Sequence, residues 1–338
     1  MILAIFGLLA ILLSLPRGRR DAGAKPSSGF RVGLVFDIGG RGDKSFNDAA
    51  YLGLTRAERE LAVSVEFVEP GGPEDREAAL RLFAARKLDL VIGVGFIFSR
   101  DVDTVANDYP SVRFACVDYS PAFGPSGPLP IPNNVTGLAF RENEGAFLVG
   151  AAAGLLTRSK HVGFVGGMDI PLIHKFDAGY RAGVAAVCPS CQVHGAYAGS
   201  TPDAFRDPAR GKSIALAQIG LGADVLFHAA GSTGHGVFEA ARDASVLAIG
   251  VDADQADEAP GTVVTSMIKR GDVAVFDAIL GAKEGHLQSG MLVLGLAEGG
   301  LDWVHEGPHA QGISLEIRGR VELLRAAVVK KEIVVPDE

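Results

Sequence analysis

The chain has 338 residues, which is long for one domain and enough for two. Its 48% hydrophobic and 21% charged content predicts an ordered globular protein and argues against low-complexity disorder. A net charge of -8 without a cluster of lysine and arginine argues against a nucleic-acid-binding surface.

Residues 1–29 are typical of a signal or anchor-like segment followed by a linker. The apolar stretch 2–15 is too short for a membrane span and has the size of a signal-peptide core. Ala22-Gly23-Ala24 offers a cleavage site, although the arginines follow the apolar stretch and no cysteine follows for lipid attachment. We predict export to the periplasm or the outer face of the cell membrane, with the segment cleaved or retained as an anchor; a buried N-terminal helix is the alternative.

The rest of the chain alternates between strand-like and helix-like segments. Continuous Val/Ile/Leu-rich runs indicate strands buried on both faces, and their alternation with helices predicts parallel sheets built from βαβ units. The predicted strands are residues 31–37, 63–68, 89–94, 113–118, 161–165, 192–198, 224–228, 246–251 and 262–266.

A Pro/Gly-rich segment at 120–134, unsuited to helix or central strand, divides the chain near residue 138. The same alternation resumes at His161, which predicts two similar α/β lobes with a ligand cleft between them. We assign residues 30–138 plus about 262–295 to the N-terminal lobe, and 139–261 plus about 296–335 to the C-terminal lobe. The pattern at 262–295 is also compatible with the other lobe.

The most informative stretch is 31–56, where a strand ends at Asp37, a glycine loop follows, and a polar turn containing Phe46 and Asn47 leads into a helix. Open α/β sheets bind ligands at such strand ends. The glycine spacing differs from the phosphate-binding fingerprint, and a carboxylate stands where a phosphate would need free amides. The stretch therefore favours a neutral, polyhydroxylated, flat ligand.

Three apolar runs end in aspartate, at Asp37, Asp118 and Asp252. Each would lie at the carboxyl end of a parallel strand, facing the cleft. A carboxylate can accept charge-assisted hydrogen bonds from neighbouring hydroxyls, which suits a sugar. The alternative is that each aspartate caps the next helix or turn.

Five further residues are candidates for ligand contact. Phe46 and Phe205, in polar turns of opposite halves, could sandwich a base, or could instead pack as a hydrophobic staple and a loop anchor. Asn47 could present a donor and an acceptor to a base edge, or cap its helix. Gly231 would permit close backbone approach or form a plain turn, and Lys269 would balance the acids or be solvated.

The cysteines and histidines give little sign of catalysis or metal binding. Cys116 is expected in the core, while Cys188 and Cys191 favour a short disulfide or two surface thiols over a redox pair. His228 and His235 bracket a glycine loop, but no serine or cysteine occupies a nucleophile elbow, and no zinc-ligand spacing is present. We predict a binding protein with no cofactor and no metal, not an enzyme.

Several segments in order carry a family resemblance: GLVFDIGGRGDKSFNDAAYLGL, VIGVGFIFSRDVDTVANDYPSVRFACVDY, GAFLVGAAAGLLT, HVGFVGG, FRDPARGKSIALAQIGLGADVLFHAAGSTGHGVFEAA and IGVDADQ. From about residue 30 to the C-terminal EIVVP, the chain resembles the basic membrane protein family. These are substrate-binding proteins of ABC transporters and include the bacterial purine nucleoside receptor. The resemblance implies a type I periplasmic-binding-protein fold: two doubly wound parallel-sheet lobes, three crossover strands and hinge closure over the ligand.

The resemblance also implies a set of ligand-binding residues. The aspartate that holds the ribose hydroxyls in the family corresponds to Asp252. The glycine loop here lacks the acids that some nucleoside receptors carry in it. The full implied set is Asp37, Phe46, Asn47, Asp118, Phe205, Gly231, Asp252 and Lys269.

The expected function is capture of purine nucleosides (inosine, guanosine or adenosine) for an ABC permease and its ATPase. A ligand-occupancy sensor with the same two-lobed architecture is the alternative, and the genes next to it would separate the two. An enzyme, such as a nucleoside hydrolase or an NAD-dependent enzyme, is a third hypothesis. It is disfavoured because the sequence has neither a metal-binding acidic cluster nor a dinucleotide fingerprint.

Overall fold

The computed structural model describes residues 29–72, 74–124 and 127–338. The apolar N-terminal stretch and the proposed cleavage site therefore lie outside the described residues. Within the described part of the chain, no helix is long and apolar enough to cross a membrane.

The first lobe is a six-stranded parallel sheet with helices on both faces. Its strand order is β2-β1-β3-β4-β7-β13, a doubly wound arrangement that reverses between β1 and β3. The elements up to the first crossover are β1 (Arg31–Val35), α1 (Phe46–Leu61), β2 (Ser64–Val68), α2 (Asp75–Ala85), β3 (Leu90–Val94), α3 (Ser99–Asp108), β4 (Arg113–Val117), a small hairpin of β5 (Phe123–Gly124) and β6 (Gly127–Pro128), and β7 (Val135–Phe140).

The second lobe repeats this design with the strand order β9-β8-β10-β11-β12-β14, in which only β14 is antiparallel. The remaining elements are α4 (Glu142–Leu156), β8 (His161–Met168), α5 (Pro171–Val187), β9 (Gln192–Gly199), α6 (Pro208–Gly220), β10 (Val225–Ala229), α7 (Gly234–Ala244), β11 (Leu247–Asp252), β12 (Val263–Lys269), α8 (Gly271–Glu284), β13 (Gly290–Leu294), β14 (Leu301–Trp303) and α9 (Leu315–Val329). Two doubly wound lobes are thus confirmed, and each predicted strand is present with ends shifted by up to three residues.

The chain passes between the lobes at three places: β7 to α4, β12 to α8, and β13 to β14. The passages are joined by backbone hydrogen bonds, from Arg141 N–H to Leu294 O (3.0 Å) and from Arg270 N–H to Gly300 O (2.9 Å). Such short paired connections are the usual place for a hinge between domains.

One lobe assignment needs correction. The sequence placed residues 262–295 with the N-terminal lobe, but β12 pairs with β11 in the second sheet. Only the following helix and strand lie with the first lobe, where α8 packs on α1 and β13 pairs with β7. The pattern of a strand buried on both faces is the same in either sheet, so periodicity could not distinguish them.

The central strands form the core that positions the cleft. β3 and β10 are completely buried, as their continuous apolar sequences predict. Helix α4 is buried around most of its circumference because it packs on α5 and the second sheet. Cys116 is buried in β4, and Cys188 and Cys191 form a disulfide at the turn after α5, which agrees with the structural interpretation of these cysteines.

Candidate functional site

A cleft between the two lobes lies at the carboxyl ends of both sheets and holds about 650 Å³ of space free of atoms, including its mouth. The residues predicted to bind the ligand all line it together: Asp37, Phe46, Asn47, Asp118, Phe205, Gly231, Asp252 and Lys269.

On the first-lobe wall, the turn before α1 fixes the acid at the end of β1. Asn47 accepts a hydrogen bond from the Asp37 N–H (3.0 Å) and donates one to Asp43 (3.1 Å). The Asp43 carboxylate also accepts hydrogen bonds from the backbone N–H groups of Ser45, Asn47 and Asp48. The amide oxygen of Asn47 is therefore already engaged, and its main structural effect is to hold Asp37 and Asp43 in place.

Aromatic rings cover the cleft from both sides. Phe46 lines it from the first lobe, and Phe176 and Phe205 line it from the second. Phe205 meets Phe96 of the first lobe edge-on, with ring centroids 6.4 Å apart. Neither Phe46 nor Phe205 is withdrawn into the interior of its own lobe, so a flat ligand would find rings on opposing walls.

The acid at the end of β11 reaches across the cleft. Asp252 Oδ2 accepts a hydrogen bond of 2.5 Å from Ser45 Oγ of the first lobe. Nearby, the Gln255 side chain donates to Lys44 O (3.1 Å), which is a second contact between lobes. The lobes are therefore in direct contact and the cleft is closed.

Lys269, at the end of β12, is buried in an ion cluster. Its Nζ lies 2.7 Å from both carboxylate oxygens of Asp118, which belongs to the first lobe, and 3.1 Å from Oε1 of Glu142 at the start of α4. The ring centroids of Phe140, Phe46 and Phe176 lie within 4.9–5.7 Å of the same nitrogen. Because this lysine is only 3% exposed, the prediction of a solvated lysine is wrong and that of a counter-charge to the acids fits.

Backbone conformation marks two of the strand-end acids. Asp118 has φ of 59° and Asp252 has φ of 66°, in the left-handed region that side chains other than glycine seldom adopt. Gly231 has φ of 53°, and a Cβ there would lie 3.1 Å from Phe205 O. Unusual conformations of this kind concentrate at ligand sites, where surrounding contacts hold them.

Burial shapes the electrostatics of the cleft. It raises the pKa of Asp37 to about 7, and that of Asp252 to about 6. Burial also raises the pKa of Asp43 and Glu142. For Lys269, burial alone would lower the pKa, but the carboxylates of Asp118, Glu142 and Asp252 raise it, so the lysine stays charged.

A pH dependence of stability follows from Asp37. Its pKa is 3.8 in an ordinary environment and about 7 in the folded protein, so the folded state binds a proton that the unfolded chain releases. The stabilisation is complete below the ordinary pKa and is lost as pH rises through the folded one. We expect the free energy of unfolding, measured by urea denaturation, to fall from pH 5 to 8, and to fall less in Asp37→Asn. Asp337→Asn, at an exposed position, should retain the wild-type slope; equal slopes in all three proteins would contradict the assignment.

Several residues that line the cleft, or that contact its lining, were missed in the sequence. Asp43 and Ser45 belong to the polar turn that was identified, but their contacts depend on the folded turn. Gly95 follows β3 directly, and the rule that ligands bind at strand ends could have found it. Phe96 comes next, but it lies in an apolar run whose pattern does not distinguish a cleft residue from a core residue. Nothing in the sequence pointed to Glu142 as part of the site, because acids are common at the first turn of a helix, where they interact favourably with the helix dipole.

The two histidines that bracket the glycine loop are not among the residues that line the cleft. His228 is fully buried with its ring edge-on to Phe238, and burial lowers its pKa to about 3. Nδ1 of His235 lies 3.6 Å from Oε2 of Glu258. Within the described residues, no group of three or more His, Cys, Asp or Glu side chains is arranged to hold a metal ion.

Comparison with known proteins agrees with this geometry. The family model of PnrA-like ABC transporter substrate-binding proteins (Bmp) matches residues 30–338. An uncharacterized lipoprotein of Pyrococcus horikoshii is 36% identical over 89% of this chain and 76% of its own length. The ABC transporter nucleoside-binding protein BmpA of Lactococcus lactis is 28% identical over 100% of this chain and 99% of its own.

A solved ABC transporter solute-binding protein from Aeropyrum pernix K1 has the same architecture. It superposes with a TM-score of 0.80 at 32% identity, covering 91% of this chain and 94% of that one. The fold is therefore that of type I periplasmic-binding proteins. Together with the matched family model, this shows that the chain belongs to the PnrA-like family of ABC transporter substrate-binding proteins.

Proposed function

We propose that this protein captures purine nucleosides in the interlobe cleft and delivers them to ABC permease and ATPase subunits. The observation that carries the proposal is a closed cleft that aromatic rings of both lobes line beside buried acids. Rings suit a flat base and carboxylates suit sugar hydroxyls, whereas a phosphate group would be repelled. The relative from Lactococcus lactis is named as nucleoside-binding, which supports the same ligand class.

In this proposal the base lies between Phe46 and Phe205, and the pentose faces the carboxylates of Asp37 and Asp252. Gly231 allows the backbone to come close to the ligand because it has no side chain. Asp118 and Lys269 form the floor of the cleft, where their ion pair joins the lobes. Asn47 acts through the acids that it holds.

Hinge closure would couple binding to transport. The ligand touches both lobes only in the closed state, so it shifts the population toward that state. A permease can then distinguish loaded from empty protein by shape. We propose an extracytoplasmic location, in accord with the family and with a relative named as a lipoprotein.

The test is a thermal-shift measurement with inosine, guanosine and adenosine. A ligand at a hundredfold excess over its Kd stabilises the folded state by about 2.7 kcal/mol, which corresponds to roughly 5 °C in a chain of this size. Guanosine 5′-monophosphate serves as the matched control, because its phosphate should be rejected by the acids. No shift with any of the three nucleosides would remove the nucleoside assignment, and an equal shift with the monophosphate would contradict the role of the acids.

A further inference from the structure

Gly95, the residue that follows β3, lies directly beneath the carboxylate of Asp37. Its φ is 105°, a conformation natural to glycine. A Cβ at this position would overlap the Asp37 side chain: Oδ2 would be its nearest atom, and Cγ would lie at 2.8 Å. Any side chain on residue 95 would therefore compete with the carboxylate for the same space.

The backbone of Gly95 cannot move away to relieve that overlap. Its N–H donates to Val117 O of β4 (3.0 Å), and its carbonyl accepts from the Phe98 N–H (3.0 Å). Strand β3, which ends just before Gly95, and strand β4, which accepts its hydrogen bond, are almost completely buried. The Asp37 carboxylate, by contrast, is the end of a short side chain, so the carboxylate would be displaced.

Apart from its contact with Gly95, the Asp37 carboxylate is held through only one of its two oxygens. Oδ1 accepts a hydrogen bond of 2.5 Å from the Ile38 N–H, and the Asp37 N–H is held by Asn47. Oδ2 rests over Gly95 at the lining of the cleft. This oxygen is the one available to a ligand.

We propose that Gly95 is a positioning residue for ligand binding: by lacking a side chain it lets the Asp37 carboxylate lie over β3 with Oδ2 directed into the cleft. The predicted change in affinity rests on the proposed nucleoside binding. The predicted change in the position of the Asp37 carboxylate does not depend on it. β1 and β3 are the neighbours where the strand order reverses, so the glycine and the acid meet at the point where such sheets bind ligands.

The test compares Gly95→Ala with a matched control. Gly290 has nearly the same φ, 102°, a Cβ on it would have no atom within 4 Å, and it lies outside the cleft lining. Gly290→Ala therefore reproduces the backbone cost without touching Asp37. By calorimetry we expect Gly95→Ala to weaken guanosine binding about tenfold or more, the equivalent of one charge-assisted hydrogen bond, and Gly290→Ala to leave it within about twofold.

A double mutant distinguishes displacement of the Asp37 carboxylate from a general disturbance of the binding site. In an Asp37→Ala background, Gly95→Ala should cause no further loss of affinity, because the group it displaces is gone. Additive losses, or equal affinity of the Gly95→Ala and Gly290→Ala proteins, would overturn the inference.

A measurement without ligand tests the positioning role of Gly95 even if no nucleoside binds. The ¹³C carboxyl resonance of Asp37, assigned by its loss in Asp37→Asn, should titrate at a different pH in Gly95→Ala and at the wild-type pH in Gly290→Ala. An unchanged midpoint in Gly95→Ala would refute the positioning role whatever the ligand. Failure of wild-type protein to bind any nucleoside would instead count against the proposed function alone.

Discussion

Replacing Asp252 with alanine is expected to lower guanosine affinity by about 10²- to 10³-fold while the fold remains intact. A carboxylate that binds two vicinal hydroxyls makes two charge-assisted hydrogen bonds, and their loss is worth about 3–4 kcal/mol. Asp252 sits at the cleft end of β11 and is not part of the buried apolar core. Calorimetric titration with guanosine measures the effect, and circular dichroism checks the fold.

Two controls identify the source of that loss. Asp252→Asn suits the residue's left-handed backbone (φ 66°) and keeps the size of the side chain, so a smaller loss, about tenfold, is expected. Ser45→Ala removes only the interlobe hydrogen bond of 2.5 Å. If Ser45→Ala weakened binding as much as Asp252→Ala, the aspartate would act by joining the lobes and not by holding the sugar.

The ligand can be varied in the same experiment. 2′-Deoxyguanosine lacks one of the two hydroxyls, so it should bind the wild-type protein more weakly than guanosine. In Asp252→Ala the two ligands should bind alike, because the group that distinguishes them is gone. A persisting preference for guanosine in the variant would assign the hydroxyl contact to another residue.

The location of the cleft could be predicted because it depends on local sequence. Each run that ends in Asp37, Asp118 or Asp252 is a parallel strand, and the carboxyl ends of parallel strands share one edge of the sheet. Lys269 and Gly231 were candidates from their sequence neighbourhoods, which also allowed a solvated lysine and a plain turn, and the resemblance to the family then placed both in the implied binding set. All of them lie on the same cleft.

Contacts between segments that are far apart in the chain could not be predicted from the sequence. The partner of Lys269 depends on how two lobes close, and Glu142 comes from a third segment at a passage between lobes. Phe96 belongs to a continuous apolar run, VIGVGFIF, in which a ring that faces a cleft has the same pattern as one in the core. The sheet that β12 joins is likewise decided by packing and not by periodicity.

Replacing Lys269 with methionine should destabilise the protein by about 3–5 kcal/mol. The change removes the lysine from a buried ion cluster. It leaves the carboxylate of Asp118 without this counter-charge and that of Glu142 with only the more distant Lys175 Nζ, at 3.6 Å. The side chains of Asp118 and Glu142 are only 7% and 1% exposed, so water cannot replace the lysine. Urea denaturation followed by circular dichroism gives the change in free energy of unfolding.

Lys212 provides a matched control on the surface. It also pairs with two acids, at 2.7 Å from Glu239 and 3.0 Å from Asp243, but its side chain is 31% exposed. Lys212→Met should cost less than about 1 kcal/mol, because solvent screens exposed ion pairs. Similar costs for the two lysines would show that the buried cluster contributes no more than an ordinary surface pair.

The combined variant Lys269→Met/Asp118→Asn/Glu142→Gln separates the effect of unpaired charge from the loss of a specific contact. Neutralising all three groups removes the buried charges together, and a buried amide without a partner costs less free energy than a buried carboxylate without one. We therefore expect this variant to recover most of the stability lost in Lys269→Met even if the single variant folds poorly. Its guanosine affinity should stay low, because the contact of 2.7 Å between Lys269 and Asp118 joins the two lobes in the closed state. Full recovery of affinity as well would mean that the ion cluster preserves the fold but has no part in closure.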